Sequence, residues 1–256
     1  MQLQIQGVVK GTAGAQFAFS STDSEATATA VGIAGGGGDD AIRVSGGMDV
    51  YAESDSNTLG IVVGIQGVVE GIGIEGAVSS SNTTATATAA AIDAGEGDDS
   101  IDCSGSIVVE SDADADSVDV AVEIRGVSEG IVVGGAVSLA DTRSTAEAIG
   151  IDAGSGNDTV SQSGLLQVDS DSTSTSASVG VTIDGVVEGG ALGVALTHGS
   201  TVAESTATGV AGRDGDDTIT TSGEVVVDSW SDADSAQVSV DIIGVAEGIT
   251  AGASLA

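Results

Sequence analysis

The turn Gly38-Asp39-Asp40 returns as Gly97-Asp98-Asp99, Gly156-Asn157-Asp158 and Gly215-Asp216-Asp217, at a constant step of 59 residues. So strict a recurrence marks a repeat architecture, in which each unit buries its apolar face against the next. Two other markers keep the same step. A Ser-Gly pair stands at Ser45-Gly46, Ser104-Gly105, Ser163-Gly164 and Ser222-Gly223, and a Gly-Val-x-Glu-Gly segment begins at Gly67, Gly126, Gly185 and Gly244. An N-terminal version, Gly7-Val8-Val9-Lys10-Gly11, precedes Gly67 by 60 residues, one position out of phase. Residues 1–256 therefore form a single repeat domain of about four units plus a fifth copy of the last segment, with no linker inside it.

Within a unit the side-chain period is two, the period of a strand. Ile107, Val109, Ser111, Ala113, Ala115 and Ser117 share one face, and Glu110, Asp112, Asp114 and Asp116 share the other. The apolar row then shifts to Val118, Val120, Val122 and Ile124. The same shift recurs at Ala177, Val179, Val181 and Ile183, which predicts a bulge or corner at a fixed phase. No segment keeps a helical spacing. The expected class is all-β, a β-solenoid or β-roll of 59-residue units. It is favoured over tandem hairpins, because stacked coils satisfy each other's edges, and over a sandwich, because only 2% of residues are aromatic.

Composition removes several functions. With Lys+Arg 5 against Asp+Glu 39 the net charge is −34, so nucleic acid and anionic membrane surfaces are repelled. Cys103, the only cysteine, can form neither an intrachain disulfide nor a thiolate zinc site. Apolar runs such as residues 131–140 are shorter than the ~20 needed for a spanning helix, and the few rings supply no aromatic girdle for a membrane barrel. The N-terminus has no basic and apolar signal-peptide pattern. One His (His198), one Cys and arginines at Arg43, Arg125, Arg143 and Arg213, all in different phases, assemble no catalytic set, so no enzyme is expected.

The turns read Gly35-Gly36-Gly37-Gly38-Asp39-Asp40-Ala41-Ile42 in the first unit and Ala94-Gly95-Glu96-Gly97-Asp98-Asp99-Ser100-Ile101 in the second. The third lacks the same leading Gly, and the fourth has Arg213 in place of the second Gly. These segments resemble the glycine- and aspartate-rich nonapeptide of the repeats-in-toxin (RTX) calcium-binding proteins. The resemblance covers about eight residues in each unit. It implies calcium held by turn carbonyls and by Asp40, Asp99, Asp158 and Asp217, with Gly38, Gly97, Gly156 and Gly215 giving the backbone its freedom. In RTX proteins the motifs follow one another in tandem. Here each stands alone, so neighbouring units would have to complete a shell. Asp93 and Asp152, just before two of the turns, are added as candidate ligands; the competing reading is a plain Gly-Asp turn that binds nothing.

The acidic row Glu110, Asp112, Asp114, Asp116, with Asp169, Asp171, Asp228, Asp232 and Asp234 in later units, would bring like charges together if the units stack in register. A solvated face that keeps the chain soluble, or adaptation to a saline habitat, would give the same composition. Tyr51 and Trp230 fall on that face, and the Thr rows around Thr84, Thr86, Thr88, Thr173, Thr175, Thr206 and Thr208 read as ordinary strand residues. Cys103 reads as a small strand residue, and His198 as part of an exposed turn.

Similar apolar strand segments stand at both ends of the chain. Lys10, the only Lys, holds the place taken by Glu70, Glu129, Glu188 and Glu247 in the other copies. This leads to the expectation of head-to-tail self-association with Lys10 meeting Glu247 across a junction, unless the chain is a segment of a longer repeat protein. The function expected is an extracellular structural subunit, stabilised by Ca2+, that builds a filament, surface layer or matrix. The alternative is an adhesin stalk or binding module within a giant type-I-secreted RTX-like protein.

Overall fold

The computed structural model describes residues 2–10, 14–247 and 249–256. It begins with β1 (Gln2–Lys10), after which each unit supplies a long strand, a four-residue strand and a second long strand. In the first unit these are β2 (Gly14–Ala34), β3 (Ala41–Val44) and β4 (Met48–Glu70). The second gives β5 (Ile72–Asp93), β6 (Ser100–Cys103) and β7 (Ile107–Ser128). The third gives β8 (Ile131–Asp152), β9 (Thr159–Gln162) and β10 (Leu165–Val187). The fourth gives β11 (Gly190–Ala211), β12 (Thr218–Thr221) and β13 (Glu224–Ala246), and β14 (Ile249–Leu255) follows. The chain is all-β.

Corresponding strands of successive units lie side by side, giving two five-stranded sheets, β1-β4-β7-β10-β13 and β14-β11-β8-β5-β2, and a four-stranded sheet, β12-β9-β6-β3. Pairing joins each residue to the one 59 positions on, as in Met48 with Ile107 and Ile107 with Leu166. β1 keeps its extra residue, with Gln2 opposite Val62 and Lys10 opposite Glu70. Every pairing among the described strands is parallel, which excludes tandem hairpins. The turns stack as well, through bridges from Gly37 to Glu96, Glu96 to Ser155 and Ser155 to Asp214. The glycine that opens each Gly-Val-x-Glu-Gly segment has a packing reason: a Cβ on Gly126 would lie 2.4 Å from the Gly67 carbonyl oxygen of the layer beside it.

The two long sheets face each other over a core that changes character along its length. Toward the Gly-Asp-Asp turns it is apolar and narrow: Ala85, Ala87 and Ala89 of β5 meet Val109, Ala113 and Ala115 of β7, and Ile92, Ile101, Ile151, Val160 and Leu166 fill the end. Small side chains suit so thin an interior. Midway the lining turns to hydroxyls. Ser144 Oγ and Ser172 Oγ stand 2.7 Å apart across the sheets, Thr58 bonds Thr83, and Ser178 Oγ donates to the His198 carbonyl at 2.9 Å.

The bulge expected after Ser117 is not there. The strand keeps its alternation, so Asp119, Ala121, Glu123 and Arg125 point inward and Val118, Val120, Val122 and Ile124 outward. Each residue from Ile107 to Arg125 stays opposite its partner in β4 and in β10, leaving no unpaired residue to reverse the faces. A strand with period two and no insertion must keep its sides. The half of the molecule nearest the Gly-Val-x-Glu-Gly segments is therefore polar inside and apolar outside.

Candidate functional site

Two opposed hydrogen-bond ladders run through the stacked Gly-Asp-Asp turns. In the inner one, the backbone N–H of Asp40 donates to Asp99 Oδ1 at 2.8 Å, that of Asp99 to Asp158 Oδ1 at 2.8 Å, and that of Asp158 to Asp217 Oδ1 at 3.0 Å. In the outer one the direction reverses: the N–H of Asp98 donates to Asp39 Oδ1 at 3.0 Å, of Asn157 to Asp98 Oδ1 at 2.8 Å, and of Asp216 to Asn157 Oδ1 at 3.0 Å. Asn serves as well as Asp in the outer ladder because only an acceptor oxygen is required.

Asp40, Asp99, Asp158 and Asp217 are thus brought into one column, as the repeat spacing implied. Asp99 and Asp158 are 2% and 1% exposed, and the second oxygen, Oδ2, of Asp40, Asp99 and Asp158 is buried with no hydrogen-bond partner. The glycines of the turns adopt φ of 104° (Gly38), 130° (Gly97), 143° (Gly156) and 135° (Gly215), in the region that favours glycine. Several turn carbonyls are engaged along the stack: Glu96 N–H donates to the Gly36 carbonyl at 2.8 Å and Ser100 N–H to that of Asp40 at 2.9 Å. Among the described residues no three His, Cys, Asp or Glu side chains are grouped as a metal set. An Oδ2 without a partner is chemically suited to a hard cation. The first three layers offer one each, so most of a calcium shell would have to come from neighbouring layers and water.

Asp152 is bound elsewhere. Arg213 clasps it with Nε 3.0 Å from Oδ1 and Nη2 2.6 Å from Oδ2. Arg213 does so at φ 68°, holding an arginine in the conformation its glycine counterparts adopt. Asp93 is exposed beside Asp152 in the register. The remaining arginines likewise pair with an acid of an adjacent unit: Arg43 with Asp102 at 2.8 Å, Arg125 with Asp184 at 2.6 Å and Arg143 with Glu204 at 2.8 Å.

The acidic face does stack like upon like. Glu53, Asp112 and Asp171 form one column, with Trp230 at its end, and Tyr51, Glu110, Asp169 and Asp228 form the next. Partial burial, then the neighbouring carboxylates, push Asp112 above the usual carboxylate range; Asp114 is raised for the same reasons, against a hydrogen bond from Thr173.

A third group was not foreseen from the sequence. Between the sheets, near the Gly-Val-x-Glu-Gly end, Arg125 lies among Glu75, Glu123, Asp184 and Asp241, one cation among four acids. Gly134 and Gly193 of the facing sheet leave the room: a Cβ on either would come within 3.3 Å of the guanidinium. Burial pushes the Glu123 carboxyl up to about 8, with Arg125 opposing and Glu75 adding to the rise. Burial also lifts Glu75, Asp119, Asp184 and Asp241. A small adjoining cavity is lined by Gln4, Gln16, Gln66, Glu75 and Glu123.

Cys103 is fully buried and its thiol is pushed up to about 11 by burial, so it is a packing residue of β6. His198 is exposed, but in β11 rather than in a turn. The backbone of Lys10 pairs with Glu70 in β1 while Glu247 lies past β13 at the far end of the same sheet; the Lys10 side chain lies outside the described residues. No helix is long and apolar enough to cross a membrane among the described residues. No family model matches the chain, and no curated protein and no solved structure is significantly similar to it.

Proposed function

We propose that the chain is an extracellular structural protein whose units wind as a β-solenoid, one coil per 59 residues, and which assembles head to tail into a filament, surface layer or matrix. The observation that carries this reading is the 59-residue register that holds from β2 to β14 and through the turns. In the turns and on the acidic face, like side chains recur layer upon layer, as in the column Asp40, Asp99, Asp158 and Asp217. A lattice of this kind offers mechanical continuity, and its end strands offer backbone groups to a further copy.

Calcium is the cation that fits the chemistry of the turns and of the acidic columns. It would bind the Oδ2 atoms of Asp40, Asp99, Asp158 and Asp217 and relieve the repulsion between stacked carboxylates. A cation that binds only the ordered stack stabilises it by mass action. The test is thermal melting and electron microscopy of the purified protein with calcium and with chelator. Expected are a higher melting temperature and longer polymers with calcium. Equal melting in both conditions removes the calcium assignment, and uniform single rods in both remove the assembly.

A further inference from the structure

The half of the molecule nearest the Gly-Val-x-Glu-Gly segments presents an apolar surface to water on both sheets. In β7 the outward row is Val118, Val120, Val122 and Ile124, and in β8 it begins with Ile131 and Val133. Val118 is 40% and Ile131 56% exposed, too open for residues serving this chain's own core. No outward position carries a charge from 118 to 124 in β7 or from 131 to 139 in β8, while the inward positions of β7 over the same stretch include Asp119, Glu123 and Arg125. With strands about 4.8 Å apart and ~3.3 Å per residue, four layers make an apolar face of about 450 Å² on each sheet. That is near the largest patch a typical monomer exposes, and here it occurs twice.

We propose that this apolar band is a lateral docking surface for a second copy of the chain, sheet face against sheet face. The distribution of charge points to that occupant, and the area sets the contact at the weak end of interfaces. Pressing one band on another removes about 900 Å² from water, a little below the roughly 1,200–2,000 Å² of a stable interface, and the total grows with every added layer. The acidic columns that would keep two copies of a chain of net charge −34 apart lie on the other half. An overlap of bands alone, with the two copies pointing in opposite directions, sets those halves at opposite ends. A lipid surface suits the band less well, since Glu129 and Glu188, exposed at the tips of this half, would have to enter with it. The proposal stands apart from end-to-end assembly, which uses strand edges rather than sheet faces.

The test combines sedimentation at rising ionic strength with a short bis-maleimide cross-linker. Expected are dimers that strengthen as salt screens the acidic halves, and cross-linking of V120C at least about tenfold above D114C in the same strand; the buried Cys103 gives little background. The double variant V120N/V181N, checked by circular dichroism, is expected to weaken association at least about tenfold, or about 1.4 kcal/mol. If that variant does not fold, the V120C comparison decides. A protein that stays monomeric at every salt concentration, equal cross-linking at both positions, or unchanged association of the folded double variant overturns the proposal. So does flotation with phosphatidylcholine vesicles without self-association, which would give the band to lipid. Polymers joined through strand edges survive V120N/V181N, so head-to-tail assembly and lateral docking can fail separately.

Discussion

Arg125 Nε lies 2.6 Å from Asp184 Oδ1 in the strand beside it, and the two side chains are only 5% and 2% exposed. Around this pair, Glu75, Glu123 and Asp241 outnumber the single cation. Glu123, raised by burial to about 8 from an ordinary 4.5, stays protonated in the fold at pH values where the unfolded chain has already released the proton. The native state then binds more protons than the unfolded one, so the stability that Glu123 contributes is complete below about pH 4.5 and is lost as pH rises toward 8. The raised values of Glu75, Asp119, Asp184 and Asp241 act in the same direction. Melting temperature is expected to fall between pH 5 and 8, and E123Q to melt several degrees above the parent at pH 8 but not at pH 4.5, as each pKa unit corresponds to about 1.4 kcal/mol. Parallel melting curves of the two proteins across that range would contradict this.

The inner Asp ladder separates acceptor from ligand. D99A leaves the partly buried N–H of Asp40 without its 2.8 Å partner and is expected to cost about 1–3 kcal/mol in a denaturant titration. D99N keeps a carbonyl acceptor and should lose much less. If calcium uses this column, D99N also reduces the calcium-dependent rise in melting temperature while melting near the parent in chelator.

One motif position tests stacking against local turn preference. A Cβ on Gly105 would lie 1.9 Å from the Gly46 carbonyl oxygen, whereas a Cβ on Gly46 meets nothing within 4 Å. G105A is expected to destabilise by about 3 kcal/mol or more, as overpacking against backbone does, and G46A by less than about 1. Equal losses in urea titrations would show that the turn's own conformation sets the requirement.

Arg213 holds a φ of 68° and binds Asp152 on the surface. Left-handed backbone costs a non-glycine residue about 1–2 kcal/mol, and an exposed ion pair returns about 0–1. R213G is therefore expected to melt at the same temperature as the parent or slightly above it. A clear drop in melting temperature would mean that the clasp on Asp152 outweighs the strain.

Much of the architecture is legible in the order of residues. The step from Gly38 to Gly97 anticipates the register of every sheet, and the single extra residue before Gly67 reappears as the shifted pairing of β1. Alternation gives the strands but not which side faces in. Val118, Val120, Val122 and Ile124 look like a core row, and their inward neighbours Asp119, Glu123 and Arg125 look like a surface. The partners of Asp119 and Arg125 lie far along the chain: Ser79 donates to Asp119 at 2.6 Å, and Asp184 pairs with Arg125. The Gly-Asp-Asp turns showed their aspartates readily, yet the N–H each carboxylate accepts belongs to a residue 59 positions away.

The column running through Gln66, Arg125, Asp184 and Ile243 gives each unit an address. Copying the unit that holds Arg125 would seat one sealed guanidinium directly upon another, and deleting the next unit would strip it of Asp184. Units that look interchangeable on paper are therefore ordered from within, so growth or shrinkage of the array by whole-unit shuffling requires compensating changes in this column.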